Sequence, residues 1–143
     1  TLGNREPNTN QVSKKFVANV QIEETKDDRI REAVDFLFTR LKQIELKNDL
    51  KILLVMDADR TEIVNSVDEK REYESQVGHL NRIARETAIL HDLEYLDLSQ
   101  AFQEDYSIHK KAFKFKYDGH WTEHAHGVTA DAIYKQIIKG NIL

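Results

Sequence analysis

The amino-acid sequence predicts an α/β domain in which a parallel sheet is flanked by helices. Apolar side chains recur at helical spacing in three long stretches of the chain. Between those stretches lie two short runs rich in apolar residues, at residues 50–56 and 93–98. A short apolar run that follows a helix is typical of a strand buried in a parallel sheet. The resulting order of helix, strand, helix, strand, helix therefore indicates an α/β architecture.

The first helix is expected after a lead-in formed by residues 1–24. The beginning of this lead-in is rich in Gly, Pro and Asn, which predicts a loop. In its later part the spacing of the apolar residues does not distinguish a helix from a strand. Asp27 and Asp28 favour the positive end of a helix dipole, and apolar residues at helical spacing continue to about Lys47. We expect residues 25–143 to form the α/β portion of a single domain.

The central elements are predicted in the same way, from short apolar runs and from helical spacing of apolar residues. The run at residues 50–56 predicts the first strand, and a polar loop is expected over residues 61–70. A second amphipathic helix is predicted over residues 72–92. Residues 93–98 predict the second strand, and residues 99–111 are expected to form a loop with one helical turn.

The C-terminal part is predicted to contain an extended segment and a helix. Phe113, Phe115 and Tyr117 alternate with lysines, which predicts an extended segment with one apolar face. The last helix is expected over residues 122–139, with Thr122 as its N-cap. Two predicted strands make a narrow sheet, so we expect either further strands in the N-terminal third or a sheet completed from outside the chain. An exposed strand edge then favours pairing with a second copy or with a missing portion.

The composition limits the classes of function. The chain has 143 residues, of which 40% are hydrophobic and 32% charged, which fits one globular domain. It contains no cysteine, which excludes disulfides, thiolate metal sites and a cysteine nucleophile. A net charge of −4 argues against a nucleic-acid partner. No apolar run approaches the roughly 20 residues of a membrane-spanning helix.

Asp118 and His120 form the densest candidate for chemistry. Functional residues of parallel sheets collect beyond the carboxyl ends of the strands. This pair lies two residues apart before the last helix, in a segment where both side chains can lie on the same side. A carboxylate can orient an imidazole while the other ring nitrogen takes a proton from a nucleophile. The alternative is that Asp118 caps the last helix and His120 is a surface residue.

The histidines of the same segment have a competing interpretation as metal ligands. His120, His124 and His126, with Asp118 and Glu123, resemble a site of nitrogen and oxygen ligands. On a helix, however, a spacing of four brings His120 and His124 to one face and leaves His126 elsewhere. A site with three histidines would need His120 outside the helix.

Two basic features also have alternative explanations. Arg60 follows the first strand, and its guanidinium is suited to contact a substrate carboxylate or sugar hydroxyl. Salt bridges and helix capping among Arg60, Asp57 and Asp59 explain the same cluster without a substrate. Four lysines lie among the aromatic residues of the extended segment, at positions 110, 111, 114 and 116. A solvated lysine face explains this alternation better than stacking on nucleic-acid bases.

The segment YDGHWTEHAHGVTADAIY, residues 117–134, resembles the last conserved block of the SGNH hydrolases, also called GDSL-type esterases. Asp118 and His120 match the Asp and His of that block, and Trp121 matches the residue that follows. The segment KILLVMDADR is similar to the family's penultimate strand, and HLNRIARETAILHDLEYLDLSQAF is similar to its last helix and strand. The resemblance implies a flavodoxin-like three-layer α/β fold that is incomplete in this chain.

The resemblance also implies a reaction and roles for particular residues. It implies serine-dependent cleavage or transfer of acyl esters, with an O-acetylated carbohydrate as substrate, as in similar bacterial branches. His120 would act as the general base, Asp118 would orient it, and Arg60 and Trp121 would contact the substrate. Asn4, in Leu2-Gly3-Asn4, is a candidate for the oxyanion donor of the family's Gly-x-Asn block. No cofactor is implied, and an exported protein is favoured.

The nucleophile of such a hydrolase has no counterpart in the sequence. The family places its serine in a Gly-Asp-Ser turn, and none of the five serines of this chain follows Gly-Asp. We therefore expect this chain to be the C-terminal portion of the hydrolase domain and to be inactive alone. Two alternatives remain open, namely a non-catalytic α/β binding or assembly module and a histidine-rich metal-binding domain.

Overall fold

The computed structural model describes the backbone of residues 9–139 and the side chains of residues 26–139. Along this part of the chain the elements are α1 (Thr9–Asn48), β1 (Leu53–Met56), α2 (Arg60–Glu69), α3 (Gln76–Leu90), β2 (Glu94–Asp97), α4 (Ser99–His109), β3 (Lys114–Phe115), β4 (Asp118–Trp121) and α5 (Glu123–Lys139). The protein is therefore mixed α/β and mostly helical. None of the helices in this part of the chain has the length and apolar character needed to cross a membrane.

The two predicted strands pair in parallel. β1 and β2 form a two-stranded sheet in which Leu53 lies opposite Glu94 and Met56 lies opposite Asp97. The connection between them runs through α2 and α3. Both strands therefore end at the same edge of the sheet, where the loop after β1 meets the start of α4.

Two clusters of buried apolar side chains lie on opposite faces of this sheet. Tyr95 packs against a cluster built mainly from α1 and α3, whose buried members are Phe38, Ala84, Ala88 and Leu93. Leu96, the next residue of β2, packs against the other cluster, whose buried members are Ala58, Ile63, Leu98, Phe102, Tyr106, Phe113 and Ala125. Successive side chains of a strand point to opposite faces, so the two clusters are separated by the strands themselves.

The first helix is longer than the sequence predicts. α1 begins at Thr9, so that most of the lead-in predicted for residues 1–24 is helical. No Gly or Pro occurs between Thr9 and Asn48, and nothing in this stretch interrupts the helix.

Two segments that were predicted to be loops are helices. α2 occupies most of the loop expected over residues 61–70, and the side chain of Asp59 caps it by accepting a hydrogen bond from the N–H of Glu62 at 3.1 Å. α4 replaces the loop expected over residues 99–111, and it buries Phe102 and Tyr106, four residues apart on one face. Ile63 of α2 and the two aromatic residues of α4 are buried in the cluster against which Leu96 packs. This packing stabilises both helices although most of their residues are polar.

A short hairpin connects α4 to α5. β3 and β4 pair antiparallel, and the segment containing Asp118 and His120 is therefore a strand. The predicted apolar face of residues 113–117 is wrong in part, because Phe113 is buried whereas Phe115 and Tyr117 are 54% and 91% exposed. Thr122 caps α5 as predicted, since its hydroxyl accepts a hydrogen bond from the N–H of Ala125 at 3.2 Å.

One residue at or just beyond the C-terminus of each of the first four helices has a left-handed backbone conformation without being glycine. They are Asp49, Lys70, Asp92 and Lys110, with φ between 51° and 54°. This conformation reverses the chain direction at a helix C-terminus, where glycine is the residue that adopts it without a steric cost.

Candidate functional site

Asp118 and His120 are joined by two hydrogen bonds within β4. One carboxylate oxygen of Asp118 contacts Nδ1 of the His120 ring and also accepts the backbone N–H of His120 at 2.9 Å. The extended backbone places residues i and i+2 on one side of the strand, as the spacing predicts. The ring is 85% exposed, and its Nε2 has no hydrogen-bond partner among the described residues.

The carboxylate of Asp118 is held in its charged form. The backbone N–H of His120 and then its ring lower the pKa of Asp118 below the ordinary value of 3.8. A charged carboxylate accepts hydrogen bonds and donates none, so Nδ1 carries the hydrogen. In the neutral ring, Nε2 is then the nitrogen with a free lone pair, and it is available to take a proton.

Arg60 fixes the hairpin to the end of the sheet. Its Nη2 donates a hydrogen bond to the carbonyl of Gly119, the residue between Asp118 and His120, at 3.1 Å. The same nitrogen lies 3.5 Å from Asp57, at the end of β1. The second terminal nitrogen, Nη1, is buried and has no partner among the described residues. Arg60 therefore has one N–H group committed to the hairpin and another that still lacks an acceptor.

Trp121 is the second attachment of the hairpin to the sheet. Its ring N–H donates to the carboxylate of Asp57 at 3.3 Å, and the Arg60 guanidinium lies 5.7 Å from the centre of its ring. Trp121 also meets Phe102 edge to face, with 6.3 Å between ring centres. Trp121 therefore connects the strand that carries Asp118 and His120 to the buried aromatic cluster.

A shallow depression of about 380 Å³ opens beside this arrangement. Its lining residues are Arg60, Gly119, His120, Trp121 and His126. The residues that line the depression provide imidazole rings, a guanidinium group and an indole ring. Such a combination suits a polar ligand that presents oxygen atoms and one apolar face.

Protein-family models, curated proteins and solved structures were each compared with the chain, and none matches. The similarity to SGNH hydrolases therefore remains a prediction that rests on the sequence motif.

No described serine is positioned to use the Asp118–His120 pair. Ser66 donates to the carbonyl of Ile63, and Ser107 donates to the carbonyl of Glu104. Ser75 caps α3. Ser99 is buried, and its hydroxyl has no partner among the described residues. The side chain of Ser13 and the oxyanion candidate Asn4 lie outside the part of the chain described here.

The histidines of the alternative metal site have separate partners. His124 contacts Asp105 through Nε2 at 2.6 Å, whereas His126 lies against the edge of Trp121, with 5.2 Å between ring centres. His120 is held by Asp118. Within residues 26–139, no group of three or more His, Asp or Glu side chains is arranged to hold a metal ion.

Asp57 and His126 are the residues of the site that sequence reasoning did not place. Asp57 was assigned to a salt bridge or cap, but it also accepts the Trp121 ring N–H from 64 positions away. No local pattern predicts a contact of that separation. The sequence predicts no contact between His126 and Trp121, and the place of His126 in the depression follows from the first turn of α5.

Proposed function

We propose that this chain supplies the acid–base half of a serine-dependent hydrolase or transferase of acyl esters, with an O-acetylated carbohydrate as substrate. The observation that carries the proposal is the Asp118–His120 pair, in which a carboxylate holds Nδ1 and leaves Nε2 open toward a depression. The serine comes from polypeptide other than residues 26–139.

The arrangement supports a proton-transfer cycle of known type. Nε2 of His120 takes the proton of the serine hydroxyl while the serine oxygen bonds to the ester carbonyl carbon. The imidazolium is stabilised by Asp118, and it gives its proton to the sugar oxygen as the ester bond breaks. Water then bonds to the carbonyl carbon of the acyl-serine while its proton passes to Nε2, and Nε2 gives that proton to the serine oxygen as the acyl-serine bond breaks and acetate leaves. A second sugar hydroxyl in place of water completes acyl transfer instead.

Arg60 and Trp121 are the proposed substrate contacts. Arg60 lines the depression, and its guanidinium is suited to contact an acetyl carbonyl or a sugar hydroxyl there. The indole of Trp121 presents a flat apolar surface of the kind on which a sugar ring packs. Both residues also hold the hairpin, so they connect substrate binding to the position of His120.

The free edge of β1 is the proposed route by which the serine reaches the site. Within the described residues β1 pairs only with β2, and Val55 of its apolar run is 36% exposed. A strand added in parallel to β1 would end beside Asp57 and Arg60, because parallel strands end at one edge. We propose that the hydrolase portion carrying the serine adds this strand and, with it, the remaining part of a flavodoxin-like three-layer fold.

The proposal is tested on the natural gene product that contains this chain. Hydrolysis of p-nitrophenyl acetate and release of acetate from acetylated xylan are measured for the wild type, His120→Ala and Asp118→Asn. We expect Asp118→Asn to reduce kcat about 10⁴-fold, since an aspartate that orients a catalytic histidine contributes this much in serine hydrolases. His120→Ala should reduce kcat about 10⁶-fold, because it removes the general base itself. A fluorophosphonate probe should label a serine outside residues 26–139, and labelling should be lost in His120→Ala.

The matched control is another aspartate–histidine pair of the same chain. Nε2 of His91 lies 2.7 Å from Asp35, and this pair joins α3 to α1. Asp35→Asn and His91→Ala should leave kcat unchanged. Activity that survives His120→Ala would contradict the proposal. Absence of both activity and labelling in the wild type would favour the non-catalytic module, and a dimer formed through β1 would identify a second copy as the occupant of that edge.

A further inference from the structure

A second depression of the described structure lies away from His120, at the carboxyl end of β2. It has a volume of about 600 Å³ and lies between the residues that lead into α3 and the first residue of α4. The residues that carry the argument are Tyr73, Ser75, His79, Arg82, Asp97 and Ser99. The proposed reaction uses none of them.

Ser99 is a buried hydroxyl without a partner. The residue is 8% exposed, and its Oγ makes no hydrogen bond within the described part of the chain. Its backbone N–H is already bonded to Asp97 at 2.9 Å, so only the side chain is unsatisfied. A buried hydroxyl without a partner is unfavourable, and in a native protein it calls for an explanation. Ser99 lines the depression, and a ligand group that bonded its hydroxyl would remove this cost.

Tyr73 offers a donor on the opposite side. Its hydroxyl oxygen accepts the backbone N–H of Asp59 at 3.1 Å and the hydroxyl of Ser75 at 3.0 Å. The phenol therefore keeps its own hydrogen for another acceptor. The ring position is closely defined, because a Cβ on Gly78 would lie 2.8 Å from its Cε1.

Arg82 adds a charged donor that is only partly used. One of its terminal nitrogens lies 2.8 Å from Nδ1 of His79, and Nε2 of His79 lies 3.0 Å from Asp27. This chain of contacts makes His79 an acceptor at Nδ1 and a donor at Nε2, so both ring nitrogens are committed. The remaining N–H groups of Arg82 have no partner among the described residues and are suited to bind a ligand.

Acceptors lie among these donors, and the balance of charge excludes an anion as the best ligand. Asp97 lines the depression, and one of its oxygens already accepts the Ser99 N–H and the amide of Asn81. Glu74 adds a second carboxylate, so one guanidinium faces two negative charges. Interleaved donors and acceptors beside a phenol ring match the hydroxyl groups of an uncharged sugar.

We propose that this depression binds an uncharged sugar ring, with Arg82 and Tyr73 donating to its hydroxyls, Asp97 accepting from them, and Ser99 bonding the hydroxyl that reaches deepest. The site goes beyond the proposed hydrolase function and does not depend on it, because binding is measured without catalysis.

The test titrates the chain with xylohexaose, cellohexaose, mannohexaose and chitohexaose, followed by ¹H–¹⁵N spectra and calorimetry. At least one neutral oligosaccharide should bind and shift the amide signals of Gly78 and Ser99. Arg82→Gln should weaken binding about tenfold, and Ser99→Ala about threefold to tenfold. Ser99→Ala should not lower the Tm of the free protein, since it removes an unsatisfied hydroxyl.

The controls are an arginine and a serine outside the depression. Arg40→Gln on α1 and Ser107→Ala on α4 should leave the affinity unchanged. The proposal is overturned if no neutral oligosaccharide of the set binds, or if Arg40→Gln weakens binding as much as Arg82→Gln. It is also overturned if only inorganic phosphate or oligogalacturonate binds. If the wild-type protein binds the sugar but has no esterase activity, the result would count against the proposed function and not against this sugar site.

Discussion

Replacing Phe102 by alanine is expected to lower the free energy of unfolding by about 3–5 kcal/mol. The side chain is completely buried on α4, at the centre of the cluster beneath the hairpin. Its ring lies 4.5 Å from the ring of Phe113 and meets Trp121 edge to face. Because Trp121 attaches β4 to the sheet, the substitution reaches the candidate site as well as the core.

The magnitude follows from what alanine cannot replace. Burial of a phenylalanine side chain contributes about 1.5–3 kcal/mol. Each aromatic pair adds about 0.5–1.5 kcal/mol, and the cavity left behind adds a further cost. With a slope of about 2 kcal/mol per M, the midpoint of urea unfolding should fall by about 2 M.

The assay is equilibrium urea unfolding of the wild type, Phe102→Ala and Ile108→Ala. Ile108 lies on the same helix and is 74% exposed, so its replacement should change the free energy of unfolding by less than about 0.5 kcal/mol. A loss below about 1 kcal/mol for Phe102→Ala, or an equal loss for both variants, would show that the aromatic cluster does not hold α4 and the hairpin together.

Two further predictions concern polar contacts of the fold. Asn81 is buried, and its amide donates to the carbonyl of Asp57 at 2.8 Å and to Asp97 at 3.3 Å, so Asn81→Ala should cost about 1–3 kcal/mol in urea unfolding. A cost near zero would mean that the ends of β1 and β2 do not need this bridge. Hydrogen bonds from Lys110 and then Tyr106 lower the pKa of Asp68 below 3.8. A carboxyl with a lowered pKa stabilises the fold above its unfolded-state pKa, and this contribution is lost as the pH falls through the folded-state pKa. Asp68→Asn should therefore lower the Tm at pH 7, and the difference should vanish well below pH 3.8; a difference independent of pH would refute this assignment.

The parts of the fold that sequence reasoning predicted are those with a strong local period. The two strands, their parallel pairing and the cap of α5 at Thr122 follow from apolar runs and from capping chemistry. The sequence does not predict α2, because the residues between Thr61 and Lys70 are mostly polar. The only local signal is the spacing of Asp59 and Glu62, which is that of an N-cap and the third residue of a helix. The stability of this helix comes from Ile63, which is fully buried by residues distant in sequence.

In the candidate site, too, contacts between residues close in sequence were predicted and contacts between distant residues were not. The contact between Asp118 and His120 follows from a separation of two residues in extended backbone, and the sequence predicts it. The contacts of Arg60 with Gly119 and of Trp121 with Asp57 span 59 and 64 residues. They exist only because β1 and the hairpin are brought to one edge by the packing of α2, α4 and α5. Sequence reasoning therefore finds the Asp118–His120 pair but not the residues that hold it.

The left-handed residues at the helix ends set a limit on the thermal stability of the chain. For a residue with a Cβ this conformation costs roughly 1–2 kcal/mol, whereas glycine costs only about 0.5–1 kcal/mol in extra unfolded-chain entropy. Lys110 and Asp92 recover part of the cost through ion pairs with Asp68 and Lys42. Asp49 and Lys70 have no such pair within the described residues, and glycine at these two positions would raise the stability without touching either depression. Glycine at these two positions is therefore a route to higher stability that this sequence has not taken.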